Sequence, residues 1–171
     1  MLTRAATHED IPALHALIEG AYRGEAARAG WTHEADLLEG PRTDPVQLAA
    51  FLDDPATSIL IADDARGVAG CVLVADRGDR AYLGLLSVRP DAQAAGLGRA
   101  LIAAAEAHAR EVLRRDRIEM TVIRQRPELI AYYERRGYAL TERTEPFPYA
   151  HAGFGAGMRD DLVLEVLEKA L

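Results

Sequence analysis

Residues 81–106 read AYLGLLSVRPDAQAAGLGRALIAAAE, an apolar run followed by a turn of small residues and an alanine-rich segment. The run Ala81–Val88 predicts a strand, and the segment from Gly96 to Arg114 predicts a helix. Gly96 and Gly98 at the start of that helix allow an anion close to unpaired backbone N–H groups, where the helix dipole favours negative charge. The stretch therefore predicts a site for a phosphorylated ligand.

Length and composition predict one globular domain spanning residues 1–171. Hydrophobic residues make up 49% of the 171, which is enough to fill a single core. The formal net charge of −7 argues against nucleic acid as a partner and mildly favours cationic substrates such as amines. The single cysteine, Cys71, excludes an internal disulfide and is expected to be a buried, inert thiol.

Hydropathy along the chain predicts no interaction with a membrane. No apolar run approaches the length of a membrane-spanning helix, and the first residues lack the layout of a signal peptide. A cytoplasmic location is the resulting expectation.

The remaining segments predict helices and strands in alternation, hence a mixed α/β fold. Three further helices are expected, at Thr7–Tyr22, Asp44–Leu52 and Pro127–Arg136, the last ended by Gly137. Further strands are expected at Thr57–Ala62, Val68–Ala75, Ile118–Ile123, Tyr138–Glu142 and Leu162–Leu167. Long loops are expected at Gly24–Thr43 and Thr144–Asp161. Short polar turns join the first three strands, which predicts a central, mostly antiparallel sheet flanked by helices on both faces.

The glycine turn alone is compatible with three interpretations. The first is a close-packed start of a helix that binds nothing. The second is a dinucleotide-binding loop, and the third is a loop that binds the pyrophosphate of coenzyme A. A dinucleotide loop fits poorly, because Leu101 stands where a third glycine is expected and the preceding strands predict hairpins. The choice between the other two depends on residues further along the chain.

A second motif follows downstream, where Tyr132-Tyr133-Glu-Arg-Arg-Gly137-Tyr138 ends the predicted helix. Together with Val88-Arg-Pro90 and Gln93-Ala-Ala-Gly96-Leu-Gly98, this pair of motifs resembles the GNAT superfamily of acetyl-CoA-dependent N-acetyltransferases. The resemblance is strong over Ala81–Glu142, and the order of the upstream elements agrees with it. It implies a GNAT-like fold, acetyl-CoA as cofactor and an amine as acceptor, on a small molecule or a protein.

The resemblance assigns cofactor-binding roles to the residues of the strand and the turn. Backbone groups of the strand would bond the pantetheine arm of coenzyme A, and backbone N–H groups of the turn would hold its pyrophosphate. The strand residues are Leu86, Ser87 and Val88; the turn residues are Gln93, Ala94, Ala95, Gly96, Leu97, Gly98 and Arg99.

Two residues are implied to take part in the chemistry. Tyr133 matches the tyrosine that protonates the departing thiolate, and a phenol suits this task because its pKa of about 10 is near that of a thiol. The alternative for Tyr133 is a core aromatic on a helix. The backbone N–H near Leu86 is the expected donor to the thioester carbonyl.

Two positions depart from the family pattern. Arg126 stands where an asparagine usually contacts the cofactor, so it is expected to reach the cofactor or an acid group of the substrate, or to be solvated. Tyr82 stands where many members have a glutamate as general base. Since a neutral tyrosine is a poor base, Tyr82 is expected only to contact the substrate, and the identity of the base stays open.

The acceptor is expected to bind against the early loop and to be an amine. Glu34 or Asp36 would bind an ammonium, Trp31 would stack on a cation, and Arg42 would pair with a carboxylate. The alternative is a structured loop with solvated charges. The later loop offers Phe147, Tyr149, His151 and Phe154 as a second wall, and no histidine or cysteine spacing predicts a metal.

Two other functions stay open at this stage. A noncatalytic acyl-CoA sensor is favoured by Tyr82 and Arg126, and a nucleotide-binding oxidoreductase is a more distant alternative. The apolar strand Leu162–Leu167 also suggests pairing across a homodimer.

Overall fold

The computed structural model describes residues 3–23, 28, 34–37, 41–148 and 160–171, which form seven strands and four α-helices. The strands are β1 (Thr3–Ala5), β2 (Thr57–Asp64), β3 (Gly67–Asp76), β4 (Ala81–Val88), β5 (Arg117–Ile123), β6 (Ala139–Pro146) and β7 (Val163–Ala170). The α-helices are α1 (Ile11–Tyr22), α2 (Pro45–Asp53), α3 (Leu97–Glu111) and α4 (Pro127–Glu134). Turns of 3-10 helix precede α1 at His8–Asp10 and α3 at Pro90–Ala95.

All seven strands belong to one sheet, in the order β1-β2-β3-β4-β5-β7-β6. Every neighbouring pair is antiparallel except β4 and β5, which run parallel. The prediction of a mixed α/β fold with a mostly antiparallel sheet is confirmed.

Strands β4 and β5 diverge along their length. They pair only through Ala81 with Ile118 and Tyr82 with Glu119. On its other edge β4 bulges against β3, because the register shifts between the pairs Cys71–Ser87 and Leu73–Gly84. From Leu83 onward the edge of β4 that faces β5 is therefore unpaired with a strand in the part of the chain described.

The bulge places a backbone conformation in β4 that side chains rarely adopt. Leu85 has φ of +47°, in the left-handed region that a leucine seldom occupies. Bulges of this kind re-aim the neighbouring residue, here Leu86. The bulge and the divergence lie on the same strand and together define the centre of the site.

Helices cover both faces of the sheet, as predicted. On one face α1 and α2 bury Leu14, Ile18 and Leu48 against β2 and β3, where Cys71 is fully buried as expected. On the other face α3 and α4 bury residues such as Leu101 against β3, β4 and β5. At about 25 cal/mol per Å² of apolar surface removed from water, these two layers supply most of the driving force for folding.

Local signals in the sequence set several element boundaries. The Asp44 carboxylate accepts a 2.8 Å hydrogen bond from the backbone N–H of Gln47 and so caps α2. The Asp10 carboxylate accepts a 2.8 Å bond from the backbone N–H of Thr7, before α1. Gly137 follows α4 with φ of +88°, the left-handed conformation predicted for it.

Several predicted boundaries differ from those in the structure. Helix α3 ends at Glu111 rather than Arg114, and Arg114 itself has φ of +60°, which no helix interior accommodates. Strand β6 continues to Pro146, into residues predicted as loop. Strand β7 is bonded on both edges, to β5 and to β6, so neither edge is free for the strand pairing that was expected of Leu162–Leu167; a homodimer stays a prediction.

No helix within the described ranges is long and apolar enough to cross a membrane.

Candidate active site

Two cavities open where β4 and β5 diverge, and they share part of their walls. The first, about 230 Å³, lies against the start of α3 and is called the glycine cavity. The second, about 250 Å³, lies against β4, β5 and the end of β6 and is called the sheet cavity. Residues common to both walls are Tyr22, Leu86, Arg126, Leu129 and Tyr133. A group bound in one cavity can therefore meet a group bound in the other at Leu86 and Tyr133.

The glycine cavity has a backbone wall at the start of α3. Gly96 has φ of +77°, and a Cβ added there would meet open space. A Cβ added at Gly98 would lie 2.9 Å from the hydroxyl of Tyr132. The first N–H groups of a helix lack acceptors within the helix. The helical hydrogen bonds of α3 begin with the 3.1 Å bond from Ala100 N to Gly96 O. The wall therefore fits an anionic group, as the pyrophosphate of coenzyme A requires.

The structure brings most of the expected cofactor residues to this cavity. Those that line it are Leu86, Val88, Gln93, Gly96, Gly98, Arg99 and Arg126. The hydroxyl of Ser87 instead donates to Leu85 O at 3.0 Å, and Leu97 packs in the core at 5% exposure. Neither residue lines the glycine cavity. Ala94 and Ala95 lie in the 3-10 turn before Gly96.

Tyr133 lies at the junction of the cavities and is buried, with 5% of its surface exposed. Its ring packs edge-on against Tyr132 and Tyr138, with centroids 5.4 and 5.9 Å away. Burial raises the pKa of the Tyr133 phenol well above its ordinary value, because an ionised phenolate would be poorly solvated there. The side chain is therefore kept as the protonated phenol, the form that can donate a proton.

Tyr22, which sequence reasoning missed, fixes the bulged strand from the opposite side. Its hydroxyl donates a 2.6 Å hydrogen bond to the carbonyl oxygen of Leu86. Burial raises the pKa of Tyr22 to about 12, so the donor stays protonated. No sequence pattern points to Tyr22, which is only the last residue of an amphipathic helix until the fold sets it beside β4.

Glu34 is held in a buried cluster of charges at the wall of the sheet cavity. Its Oε2 lies 3.1 Å from Nη2 of Arg23 and 3.9 Å from Nε of Arg42, and its Oε1 lies 3.4 Å from Nη1 of Arg126. Side chains of Glu34 and Arg126 are less than a tenth exposed. Arg126, which stands where an asparagine is usual, thus links the residues just before α4 to Glu34, and it lines both cavities.

The rest of the sheet cavity combines aromatic and polar side chains. The hydroxyl of Tyr82 lies 3.1 Å from Oγ1 of Thr121, and the guanidinium of Arg77 stacks 3.8 Å from the centre of the Tyr82 ring. Phe147 lines this cavity too, as expected for the second wall. Glu145 also lines it, and within the described ranges its carboxylate makes no hydrogen bond or ion pair.

Among the described residues, one predicted acceptor residue, Asp36, lines neither cavity. Asp36 forms an ion pair with Arg28 instead. Trp31, Tyr149, His151 and Phe154 lie outside the described residues. Among the residues that are described, no cluster of three or more His, Cys, Asp or Glu side chains is placed to hold a metal ion.

Comparison with solved structures shows the same fold in N-acetyltransferases. A point mutant of the spermidine N-acetyltransferase SpeG from Vibrio cholerae is 15% identical, with a TM-score of 0.68 over 99% of this chain and 95% of that one. The ribosomal-protein-alanine N-acetyltransferase from Brucella melitensis is 21% identical, with a TM-score of 0.72 over 100% of both chains. Among curated proteins, none matches the sequence of this chain.

The fold and a matching sequence model together identify the protein as an acyltransferase. A sequence model of the acetyltransferase (GNAT) family matches residues 14–138, which is most of the chain. The protein therefore belongs to the acetyltransferase (GNAT) family, and the resemblance inferred from the two motifs is confirmed.

Proposed function

We propose that the protein transfers the acetyl group of acetyl-CoA to a primary amine by direct attack in a ternary complex. The observation that carries the proposal is the meeting of two cavities at Leu86 and Tyr133. A ternary mechanism needs donor and acceptor to be bound at once, with the reacting atoms in contact. Two cavities with a common wall supply that arrangement.

The glycine cavity is the proposed site for acetyl-CoA. Backbone N–H groups at Gly96, Leu97 and Gly98 would hold the pyrophosphate, and the unpaired edge of β4 would bond the amides of the pantetheine arm as a strand does. The open space around Gly96 fits a group that approaches the backbone closely, whereas at Gly98 the Tyr132 hydroxyl lies against the backbone. When bound, acetyl-CoA supplies an activated thioester.

The residues at the junction are assigned one role each. The backbone N–H of Leu86 donates to the oxygen that becomes negative during attack, with Leu86 held in place by Tyr22. Tyr133 donates its proton to the leaving sulfur. Burial raises its pKa, so the phenol is present in its protonated form; the position of Tyr133 at the junction, rather than the raised pKa, supports the role.

The sheet cavity is the proposed acceptor site, with Glu145 as the group that holds the amine. Glu34 is engaged by three guanidinium groups, whereas the Glu145 carboxylate has no such partner among the described residues. A carboxylate there can bind the ammonium form and then accept its proton, directly or through water. Tyr82, Arg42 and Arg126 would contact the rest of the acceptor. The named structural neighbours act on a polyamine and on a protein alanine, so both small and protein amines are candidates.

A noncatalytic acyl-CoA sensor is the second candidate, and Tyr82 in place of a glutamate is the observation that favours it. Calorimetry with acetyl-CoA, followed by thiol release with a panel of amines, separates the two. Binding with thiol release for at least one amine supports the enzyme, and binding without release from any amine supports the sensor. No heat of binding at high micromolar acetyl-CoA rejects both.

A further inference from the structure

A third cavity, about 480 Å³, lies between α3 and the end of α4 and is predominantly basic. Arg99, Arg135, Arg136 and Lys169 line it, together with one acid, Glu106. It is called the basic cavity. Arg135 and Arg136 lie within the second motif but, like Lys169, have no role in the proposed chemistry.

The single acid of the basic cavity is already neutralised. Nζ of Lys169 lies 2.8 Å from Oε1 of Glu106, and the Tyr138 hydroxyl donates to the same oxygen at 3.1 Å. Within the described residues, neither Arg99 nor Arg135 forms an ion pair or a side-chain hydrogen bond. Three guanidinium groups of Arg99, Arg135 and Arg136 therefore leave the cavity with excess positive charge, in a protein whose net charge is −7.

The basic cavity continues the glycine cavity, because Arg99 and Arg136 line both. Arg136 is held at this boundary by two contacts with Tyr132. Its Nη1 donates a 2.7 Å hydrogen bond to Tyr132 O, and its guanidinium stacks 3.4 Å from the centre of the Tyr132 ring. The charge is thus fixed in position before any ligand binds, which lowers the entropic cost of recognition.

The order of groups along coenzyme A matches the order of these walls. From the thioester outward come the pantetheine arm, the pyrophosphate and then a ribose that carries a 3′-phosphate. From the junction outward come β4, the glycine turn and then the basic cavity. Resting on the proposed function, we propose that Arg136, with Arg99 and Arg135, binds the 3′-phosphate and makes the protein selective for coenzyme A over its dephosphorylated form.

Binding of two donors by calorimetry tests this selectivity. The donors are acetyl-CoA and 3′-dephospho-acetyl-CoA, and the variants are Arg136→Gln and Arg99→Gln, with Arg110→Gln as control. Arg110 is an exposed residue at the far end of α3, outside the basic cavity, so its variant removes the same charge at a distance. Arg136→Gln loses the stacking on Tyr132, which can lower stability. Arg99 is exposed, so Arg99→Gln is expected to fold in either case.

The wild type is expected to bind acetyl-CoA at least about tenfold more tightly than the dephosphorylated donor, the size of one charged hydrogen bond. Both cavity variants should lose most of this preference by weakening acetyl-CoA alone, while Arg110→Gln keeps it. Two results would overturn the selectivity and leave the acetyltransferase proposal intact. In the first, the wild type binds the two donors with equal affinity. In the second, Arg136→Gln and Arg99→Gln weaken the binding of the two donors equally. Absence of binding by either donor rejects the proposed function itself.

Discussion

The hydroxyl of Tyr22 donates a 2.6 Å hydrogen bond to the carbonyl oxygen of Leu86 and so joins the end of α1 to the bulge of β4. The bulge needs such support, because Leu85 beside it holds a left-handed backbone conformation. Leu86 also lies on the wall shared by the two cavities. The bond therefore links the packing of the first helix to the geometry of the proposed reaction centre.

Substitution Tyr22→Phe removes this bond and leaves the ring. We expect the free energy of unfolding in urea to fall by about 1 kcal/mol, and kcat to fall by up to about tenfold as Leu86 loses its fixed orientation. Tyr138→Phe is the matched control, since it loses a 3.1 Å hydrogen bond to Glu106 and keeps the ring that packs against Tyr133. Its stability loss should be similar with kcat unchanged. A Tyr22→Phe protein with wild-type kcat would show that Leu86 needs no support from α1.

Substitution Tyr133→Phe tests the proton donor. The ring fills the same buried space, so binding of acetyl-CoA and the melting temperature should change little. If the phenol protonates the leaving sulfur, kcat should fall by about a hundredfold or more, the usual contribution of a positioned acid. Burial raises the pKa of Tyr133, so the wild-type rate should show no alkaline decrease from loss of this proton up to about pH 10. Unchanged kcat would return Tyr133 to the role of a core aromatic.

The fold and the residues of the glycine cavity, the proposed donor site, were largely predictable, because their signals are local. Caps such as Asp44, the glycine at residue 137 and the run Ala81–Val88 each specify a backbone conformation over a few residues. The two motifs then indicated the family. The glycine turn and Tyr133 were identified from those same two motifs.

The sheet order and the acceptor site were not predictable in this way, because they depend on contacts between distant segments. Placing β7 between β5 and β6 requires the long-range register of the last strand. Tyr22 and Leu86 are 64 residues apart, and Arg126 and Glu34 are 92 residues apart. An isolated Tyr, Arg or Glu in a sequence carries no information about such a partner.

Substitution Glu145→Gln tests the proposed acceptor carboxylate. The amide keeps the shape of the side chain but neither attracts an ammonium nor accepts its proton. We expect kcat/KM for a productive amine to fall by about a hundredfold, with KM for acetyl-CoA unchanged. Glu142→Gln is the control, since Glu142 is exposed on the same strand and does not line the sheet cavity. An equal effect of the two variants would point to the net charge of β6 rather than to Glu145.

Alanine at the two glycines of the turn should separate stability from donor binding. Gly96→Ala places a side chain at φ +77°, which costs about 1 to 2 kcal/mol of stability, and its Cβ projects into the open space proposed for the pyrophosphate, so this variant should also bind acetyl-CoA more weakly. Gly98→Ala has ordinary backbone dihedrals but puts a Cβ 2.9 Å from the Tyr132 hydroxyl. Displacing Tyr132 also moves the stacked Arg136, so this variant should melt like the wild type and bind acetyl-CoA more weakly. Calorimetry and thermal melts measure both properties, and wild-type binding of acetyl-CoA by Gly98→Ala would show that the contact between Gly98 and Tyr132 has no part in donor binding.

Stability at alkaline pH follows from groups that the fold keeps protonated. Burial raises the pKa of Cys71 from 9.0 to about 12 and that of Tyr22 from 10.0 to about 12. In the unfolded chain these groups lose their protons at the ordinary, lower values, so raising the pH above about 9 favours unfolding. Their contribution to stability is fully present below pH 9 and is lost progressively up to about pH 12.

Each group that is ionised only in the unfolded chain should lower the free energy of unfolding by about 1.4 kcal/mol per pH unit. Between pH 9 and 10 the Cys71 thiol is the first of the two to act, because its ordinary pKa is lower than that of Tyr22. Urea unfolding of Cys71→Ala should therefore begin its alkaline decline about one pH unit later than the wild type, even if its stability at pH 7 is lower. Parallel curves for the two proteins across this interval would mean that the Cys71 thiol ionises in the folded protein as readily as in the unfolded one, and that the two core layers on either side of β3 admit water.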